Sequence, residues 1–328
     1  MASSPLACPL WRPPFSLLRL SEEKTVAPTS DTVGHAAAMT LPYQSRPLSW
    51  RTGSEIVGLD LRASDQLGDT TIAALWQLLG ERGILLFRGQ ALDHDQHLAF
   101  TRRFGPLAKT GLLGRHAPEG YPDIFTVTNI KKDGQRSETE NAAQQWHSDQ
   151  SFLPVPARAS LLRCVHAPQF GGDTMFANMY QAYEAMSDGL KATLEPLRAW
   201  HTLFSTRSQR LSGRKAFSSV SPEELERMRG FAHPVIRTHS DTGRKTLYVS
   251  EQMVDHFDGW SVEDSAPLLE YLFTLAVRPA HTYRHRWQPG DIIFWDNRCT
   301  MHYAPIDYDF DGMDSPANHR LMFRSTLA

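Results

Sequence analysis

The sequence QQWHSDQSF, residues 144–152, places His147 and Asp149 one residue apart in a stretch that reads as extended. Side chains two positions apart in a β-strand point to the same face. We therefore expect the imidazole and the carboxylate to lie side by side. Three interpretations are open at this point: a buried polar pair, a chance pair at the surface, and two ligands of a metal ion.

A second histidine follows a predicted buried strand in the sequence GDIIFWDNRCTMHYAP, residues 290–305. This residue, His302, lies far from Asp149 along the chain, so only folding can bring the two together. Two histidines and one carboxylate on one face of a metal form the facial triad of non-haem Fe(II) oxygenases. The H-E-x-x-H motif of zinc proteases is missing from the sequence. The pattern therefore favours an iron site over a zinc site.

Two arginines lie four residues apart in the sequence HRLMFRSTL, residues 319–327. In a strand, Arg320 and Arg324 would share one face about 13 Å apart, because a strand rises about 3.3 Å per residue. A guanidinium binds a carboxylate through a planar fork of N–H donors. Two such groups near one metal would accommodate two different anions, namely a dicarboxylate co-substrate and an acidic substrate.

The order of these motifs resembles a known family. H-x-D, then W-D-N-R-x-x-x-H, then R-x-x-x-R, is similar to the taurine/2,4-dichlorophenoxyacetate dioxygenase family of Fe(II)- and 2-oxoglutarate-dependent oxygenases. The resemblance covers roughly residues 45–327. Four further matches are FGPL (104–107), GGDT (171–174), AYEAMS (182–187) and LYV (247–249).

The resemblance implies a role for each motif residue. The iron ligands would be His147, Asp149 and His302. Thr174 and Arg320 would hold the distal carboxylate of 2-oxoglutarate, and Arg324 would face either the substrate's anionic group or the other carboxylate of 2-oxoglutarate. Two alternatives remain open: Thr174 could simply cap the turn after the two glycines, and Arg324 could be solvated.

The activity implied by the resemblance is that of a 2-oxoglutarate-dependent dioxygenase. Such an enzyme would use dioxygen to hydroxylate a small organic anion next to a heteroatom, and it would release succinate and carbon dioxide. An aryloxyalkanoate, a sulfate ester or a sulfonate is expected. Residues 108–113 and 141–145 do not reproduce the polar residues of taurine-specific enzymes, so taurine is not the first choice. A catalytically silent or non-oxidative metal-binding jelly-roll protein remains the alternative, because a fold does not fix a function.

The predicted fold class is mostly β with flanking helices, and the resemblance implies a double-stranded β-helix, which is a cupin-like jelly roll. Helical spacing of apolar residues predicts helices at 69–83, 93–105, 178–197, 221–229 and 263–276. Strand-like segments bounded by turn residues are concentrated in the second half. The chain has no P-loop and no G-x-G-x-x-G motif, which argues against a nucleotide-binding fold.

The composition of the chain indicates which classes of binding partner and which cellular compartment to expect. The chain has 328 residues and a net charge of −2, so it gives no indication of a nucleic-acid partner. No run approaches the ~18 apolar residues of a membrane span, and no membrane partner is expected. Three scattered cysteines without a C-x-x-C spacing favour a reducing, cytoplasmic location. A homo-oligomer is left open.

The first 38 residues differ in composition from the rest of the chain. They are rich in Ser, Ala, Thr and Pro, and their prolines would break an amphipathic helix. We expect residues 1–38 to be a disordered N-terminal extension and residues 39–328 to be the dioxygenase domain. A weak likeness to an organelle transit peptide and a true start further along the chain are both open.

Overall fold

β-Strands carry most of the architecture of the unit Leu41–Ala328. The computed structural model describes residues 41–108, 116–131, 143–206, 223, 226, 228–305, 307 and 315–328. The predicted extension at 1–38 lies outside the described residues. So do most of the helix predicted at 221–229, residues 109–113 and residues 141–142.

The described strands fall into four sheets, and five α-helices accompany them. The strands are β1 (Gln44–Pro47), β2 (Ser54–Val57), β3 (Ile84–Phe87), β4 (Phe125–Thr128), β5 (Ala159–His166), β6 (Thr174–Asn178), β7 (Arg198–His201), β8 (Phe231–Pro234), β9 (Ile236–Thr238), β10 (Lys245–Leu247), β11 (Val254–Phe257), β12 (Thr282–His285), β13 (Ile292–Asp296), β14 (Thr300–Tyr303) and β15 (Leu321–Leu327). The helices are α1 (Asp69–Arg82), α2 (His94–Arg102), α3 (Met179–Glu184), α4 (Asp188–Leu194) and α5 (Val262–Ala276). None of the described helices is both long and apolar enough to span a bilayer.

Local sequence signals set the helix ends. Helix α1 stops at Gly83, which adopts the left-handed conformation (φ 75°) that favours glycine. Helix α2 begins with a capping box between Asp93 and Gln96. The prediction of one helix across 178–197 is wrong, because Ser187 accepts a hydrogen bond from the backbone of Leu190 and so starts α4 as a separate helix.

The two sheets that matter for the site pack face to face. A seven-stranded sheet has the order β1-β2-β3-β13-β5-β15-β4, and a three-stranded sheet has the order β12-β6-β14. Phe176 of the small sheet packs in one apolar cluster with Leu162, Trp295 and Met322 of the large sheet. The other face of the large sheet is covered by α1 and α2. The prediction of a mostly β fold with flanking helices is thus confirmed.

Strand register directs a row of polar side chains into the space between these two sheets. On β5, Ser160 and Leu162 share the inward face. Arg324 of β15 lies opposite Leu162. On the small sheet, His302 of β14 lies opposite Phe176. The interior between the sheets therefore contains charged and titratable groups at positions where an apolar core would otherwise continue.

Candidate active site

His147 and His302 are neighbours across an antiparallel bridge. The backbone N–H of His147 donates to the carbonyl of His302 at 3.1 Å, and the reverse bond is 2.8 Å long. The strand predicted through Asp149 is only partly right: pairing ends at His147, and Asp149 already lies in a turn. The reason is local, because the N–H of Asp149 donates to the side chain of Asn297 and the next residue, Gln150, has φ 55°.

The three predicted iron ligands converge between the sheets. Oδ1 of Asp149 lies 3.9 Å from Nε2 of His147 and 3.9 Å from Nε2 of His302. One potential ligand atom from each residue lies within 4.8 Å of the other two, and all three residues are buried. Bonds from a divalent metal to imidazole or carboxylate are about 2.1 Å long, so atoms 3.9 Å apart can contact one ion. The donor set fits the iron site that the sequence predicts.

The imidazoles have the right protonation for metal ligands. Nδ1 of His147 is 2.9 Å from the carbonyl of Gln145. A carbonyl only accepts, so this nitrogen carries a proton, and in the neutral imidazole the lone pair is then on Nε2, the nitrogen nearer Asp149. Burial is the main cause that holds the pKa of His302 well below its usual value, followed by the neighbouring His147. A neutral imidazole is the form that binds a metal.

Asp149 carries the opposite charge. Burial by itself raises the pKa of this carboxyl group, but Arg324, followed by the two histidines and a hydrogen bond from Ser160, outweighs burial and lowers the pKa to about 2. The carboxylate is therefore ionised, as a metal ligand must be.

Arg320 and Thr174 both lie near Gly172, just before strand β6. Arg320 is buried, and its Nε donates to the carbonyl of Gly172 at 3.1 Å. A Cβ on Gly172 would lie 3.3 Å from Cδ of Arg320, and glycine is also favoured there by its φ of +69°. Thr174, two residues later, accepts a hydrogen bond from the indole of Trp287 at 2.9 Å. A hydroxyl has one proton to donate, and no hydrogen bond donated by Thr174 is found within the described ranges.

Arg324 has a different neighbour from Arg320. Its Nη1 donates to Oδ1 of Asp149 at 2.8 Å, and its guanidinium lies over the ring of Phe125. Its Nε is buried and has no acceptor among the residues that the structure describes. The prediction of one unbroken strand through both arginines is wrong, since β15 begins at Leu321 and its register shifts between Leu321 and Met322.

Two polar residues of this site escaped the sequence analysis. Asn297 belongs to the W-D-N segment, and its amide contacts both Asp149 and Ser160. Ser160 donates to Oδ2 of Asp149 at 2.7 Å. The available signal was a single small polar residue at an inward position of the apolar strand ASLLRCV, which is weak because serine is common in strands that bury one face.

A second cluster of metal-binding side chains is already satisfied by protein groups. His239, Asp296 and Cys299 are buried and close together. However, His239 lies 3.0 Å from one oxygen of Asp296, and Arg298 donates to both oxygens of that carboxylate. Both carboxylate oxygens of Asp296 are therefore engaged by protein groups, which argues for a structural role of this cluster and against a metal site.

Comparisons with known proteins agree with this geometry. The family model described as "Taurine catabolism dioxygenase TauD, TfdA family" matches residues 44–326. An alpha-ketoglutarate-dependent 2,4-dichlorophenoxyacetate dioxygenase of Cupriavidus pinatubonensis is 34% identical over 79% of this chain and 90% of its own. An alpha-ketoglutarate-dependent sulfate ester dioxygenase of Pseudomonas putida is 31% identical over 90% and 94%. The crystal structure of AAD-2 in complex with Mn(II) and N-oxalylglycine has a TM-score of 0.72 and 29% identity, covering 87% of this chain and 98% of that one.

Proposed function

The chain belongs to the taurine catabolism dioxygenase TauD, TfdA family and is therefore an Fe(II)- and 2-oxoglutarate-dependent dioxygenase, and on this premise we propose that it hydroxylates a small organic anion next to a heteroatom. An aryloxyalkanoate, a sulfate ester or a sulfonate other than taurine fits best. The first two classes correspond to the names of two relatives, at 34% and 31% identity. Family membership favours this function over a catalytically silent or non-oxidative jelly-roll protein.

The metal ligands of this proposal are His147, Asp149 and His302. Their support is the convergence of three buried donor atoms, with both imidazole nitrogens 3.9 Å from the same carboxylate oxygen. The finer fold proposal follows from the same placement: we assign a double-stranded β-helix, with the metal between the seven-stranded and the three-stranded sheet.

We assign the distal carboxylate of 2-oxoglutarate to Arg320 and Thr174. Arg320 is buried and donates from Nε to the carbonyl of Gly172, and its guanidinium is the group that binds a carboxylate through a planar fork of N–H donors. Thr174 can donate its hydroxyl proton to the same anion while it continues to accept from Trp287. Arg320 contacts Gly172, and Thr174 follows it by two residues. Gly172 therefore links the guanidinium to a residue whose hydroxyl is a neutral donor.

When bound, the metal and 2-oxoglutarate supply the oxidising chemistry: one atom of dioxygen is transferred to a substrate C–H bond and the other to succinate, with loss of carbon dioxide. The protein's residues bind and orient. The histidines and Asp149 hold the ion, Arg320 and Thr174 hold the co-substrate, and the buried setting excludes water. A hydroxyl group placed next to an ether or ester oxygen makes that carbon's bond to oxygen unstable, so the substrate would then divide into a carbonyl compound and an alcohol or sulfate.

Arg324 carries the argument for an anionic substrate. It lies beside Asp149 and so beside the proposed metal, and its buried Nε has no acceptor within the described part of the chain. An unsatisfied buried donor costs free energy, and a carboxylate or sulfate group would satisfy it. We therefore propose that Arg324 binds the acidic group of the substrate and so orients the C–H bond to be oxidised.

The test compares an acid with its neutral derivative. Succinate formation is first measured across aryloxyalkanoates, sulfate esters and sulfonates. The best acid and its methyl ester or amide are then compared by kcat/KM. Removing one partner of a buried charge pair costs about 2–5 kcal/mol, so the neutral analogue should react at least about 25-fold more slowly.

Variants of Arg324 separate the two roles left open for it. Arg324→Ala should abolish the preference for the acid, and Arg324→Lys should keep part of it because the charge remains. The affinity for Mn(II), measured on the same proteins, controls for damage to the neighbouring Asp149. Equal rates for acid and neutral analogue in the wild type, with weaker 2-oxoglutarate binding in Arg324→Ala, would assign Arg324 to 2-oxoglutarate instead.

A further inference from the structure

The carboxylate of Asp149 is held on one side by hydrogen bonds from the large sheet. The hydroxyl of Ser160 donates to Oδ2 of Asp149 at 2.7 Å. The side-chain amide of Asn297 donates to Ser160 at 3.0 Å, and its carbonyl oxygen accepts from the backbone of Asp149 at 3.2 Å. All three residues are buried, so water does not compete for these groups.

The direction of each bond in this cycle is fixed by chemistry. Oδ1 of Asn297 receives two groups that can only donate, the backbone N–H of Asp149 and the indole N–H of Trp295 at 2.9 Å. The amide nitrogen of Asn297 must therefore face Ser160 and donate to it. Ser160 accepts that bond, so its own proton points to Oδ2 of Asp149. The alternative acceptor, the hydroxyl of Thr326, is farther away at 3.5 Å.

As a result, the two oxygens of Asp149 differ. Oδ2 accepts the hydrogen bond from Ser160, whereas Oδ1 lies 3.9 Å from Nε2 of both histidines and accepts a hydrogen bond from Nη1 of Arg324 at 2.8 Å. We infer that Ser160 and Asn297 are positioning residues that restrict Asp149 to binding the metal through one oxygen, and thereby keep the coordination positions for 2-oxoglutarate open. This inference rests on the proposed function, because it takes His147, Asp149 and His302 as the metal ligands.

The number of carboxylate oxygens matters because the coordination positions are few. A carboxylate can bind a cation through one oxygen or through both. Two histidines and one carboxylate oxygen leave three coordination positions of an octahedral metal ion open. A bidentate 2-oxoglutarate and dioxygen would fill them. If Asp149 rotated and bound through both oxygens, one of those positions would be lost. The hydrogen bond from Ser160 opposes that rotation.

Ser160→Ala tests the inference, with Ser325→Ala as a matched control. Both serines are buried on neighbouring strands. Ser325 also has two side-chain partners, His97 and Thr101, each at 2.8 Å. Within the described residues, none of its side-chain hydrogen bonds involves a proposed metal ligand. The two variants should therefore lose similar thermal stability, and only Ser160→Ala should alter the site.

The decisive measurement is binding rather than turnover. Mn(II) is titrated into each metal-free protein, and 2-oxoglutarate is then titrated into the Mn(II)-loaded protein. For Ser160→Ala we expect Mn(II) affinity to stay within about threefold of wild type while 2-oxoglutarate affinity falls at least about tenfold, which corresponds to about 1.4 kcal/mol. Ser160→Thr keeps the hydroxyl and should bring 2-oxoglutarate affinity back to within about threefold.

Three results would overturn the inference. They are unchanged 2-oxoglutarate affinity in Ser160→Ala, a loss confined to Mn(II) affinity, and a well-folded Ser160→Thr that binds 2-oxoglutarate as weakly as Ser160→Ala. Failure of the proposed function has a separate signature. In that case the wild-type protein itself would not bind Mn(II) and 2-oxoglutarate together, or His302→Ala would bind Mn(II) as tightly as the wild type.

Discussion

Replacing Arg320 by alanine should disable co-substrate binding while leaving the metal in place. The guanidinium is buried and contacts the carbonyl of Gly172. Losing one partner of a desolvated charge pair costs about 2–5 kcal/mol. Since every 1.4 kcal/mol is a factor of ten, the dissociation constant of 2-oxoglutarate should rise by about 25-fold to about 4,000-fold. Affinity for Mn(II) should stay near the wild-type value, because a guanidinium has no acceptor atom with which to bind a cation.

Arg163 offers a control of the same residue type and the same burial. Arg163 and Arg320 are each 7% exposed, but Arg163 contacts Leu92 and His94 on the side of the large sheet that faces α2. Arg163→Ala should lower the melting temperature as Arg320→Ala does and leave 2-oxoglutarate affinity unchanged. The dissociation constant of Mn(II) is measured by calorimetry on the metal-free proteins, and that of 2-oxoglutarate on the Mn(II)-loaded proteins, both without oxygen. An unchanged 2-oxoglutarate affinity in Arg320→Ala, with normal Mn(II) binding, would refute the assignment and direct attention to Arg324.

Two predictions concern parts of the chain away from the metal. A chain that begins at Met39 should keep the melting temperature and activity of the full chain, because the Pro- and Ser-rich residues 1–38 cannot bury enough apolar surface to offset their ordering entropy; a loss of several degrees would contradict this. Burial, followed by Arg163, lowers the pKa of His97 to about 3, so the unfolded chain binds a proton between pH 6.5 and 3 that the folded chain does not. As the pH is lowered through that window, this group should reduce the free energy of unfolding by about 1.4 kcal/mol per pH unit. In His97→Gln, the dependence of the free energy of unfolding on pH should be smaller by the contribution of one proton. An unaltered dependence in denaturant titrations would show that His97 is protonated in the folded state.

The sequence predicts best those features that short-range physics controls. The helix at 69–83 follows from apolar residues at helical spacing and a glycine stop, and α1 occupies that range with Gly83 in the left-handed conformation. The short apolar run ILLF, residues 84–87, forms the buried strand β3. Helix 178–197 was mispredicted because its apolar residues continue at helical spacing through Ser187, while the side chain of that residue forms a new N-cap.

The site was predictable in its membership and less so in its geometry. His147, Asp149 and His302 could be named from motif order, although the strand expected through Asp149 is replaced by a turn. Backbone alternation could not anticipate this, because Asn297 takes the N–H of Asp149. Long-range hydrogen bonds of this kind join residues that are far apart along the chain. Pattern analysis reads neighbours in sequence and therefore does not assign Asn297 to the site.

The charges proposed to contact ligands explain why two anions suit this site. In the protein alone, Arg324 is paired with Asp149, and Arg320 is a second buried positive charge. Binding of a divalent metal to Asp149 would engage that carboxylate and leave Arg324 in need of counter-charge in a buried space. A dianionic 2-oxoglutarate and a monoanionic substrate would together balance the two arginines, the metal and Asp149 to zero. A neutral substrate would leave one positive charge uncompensated beside the metal, so charge balance and the unpaired Nε of Arg324 both favour an acid.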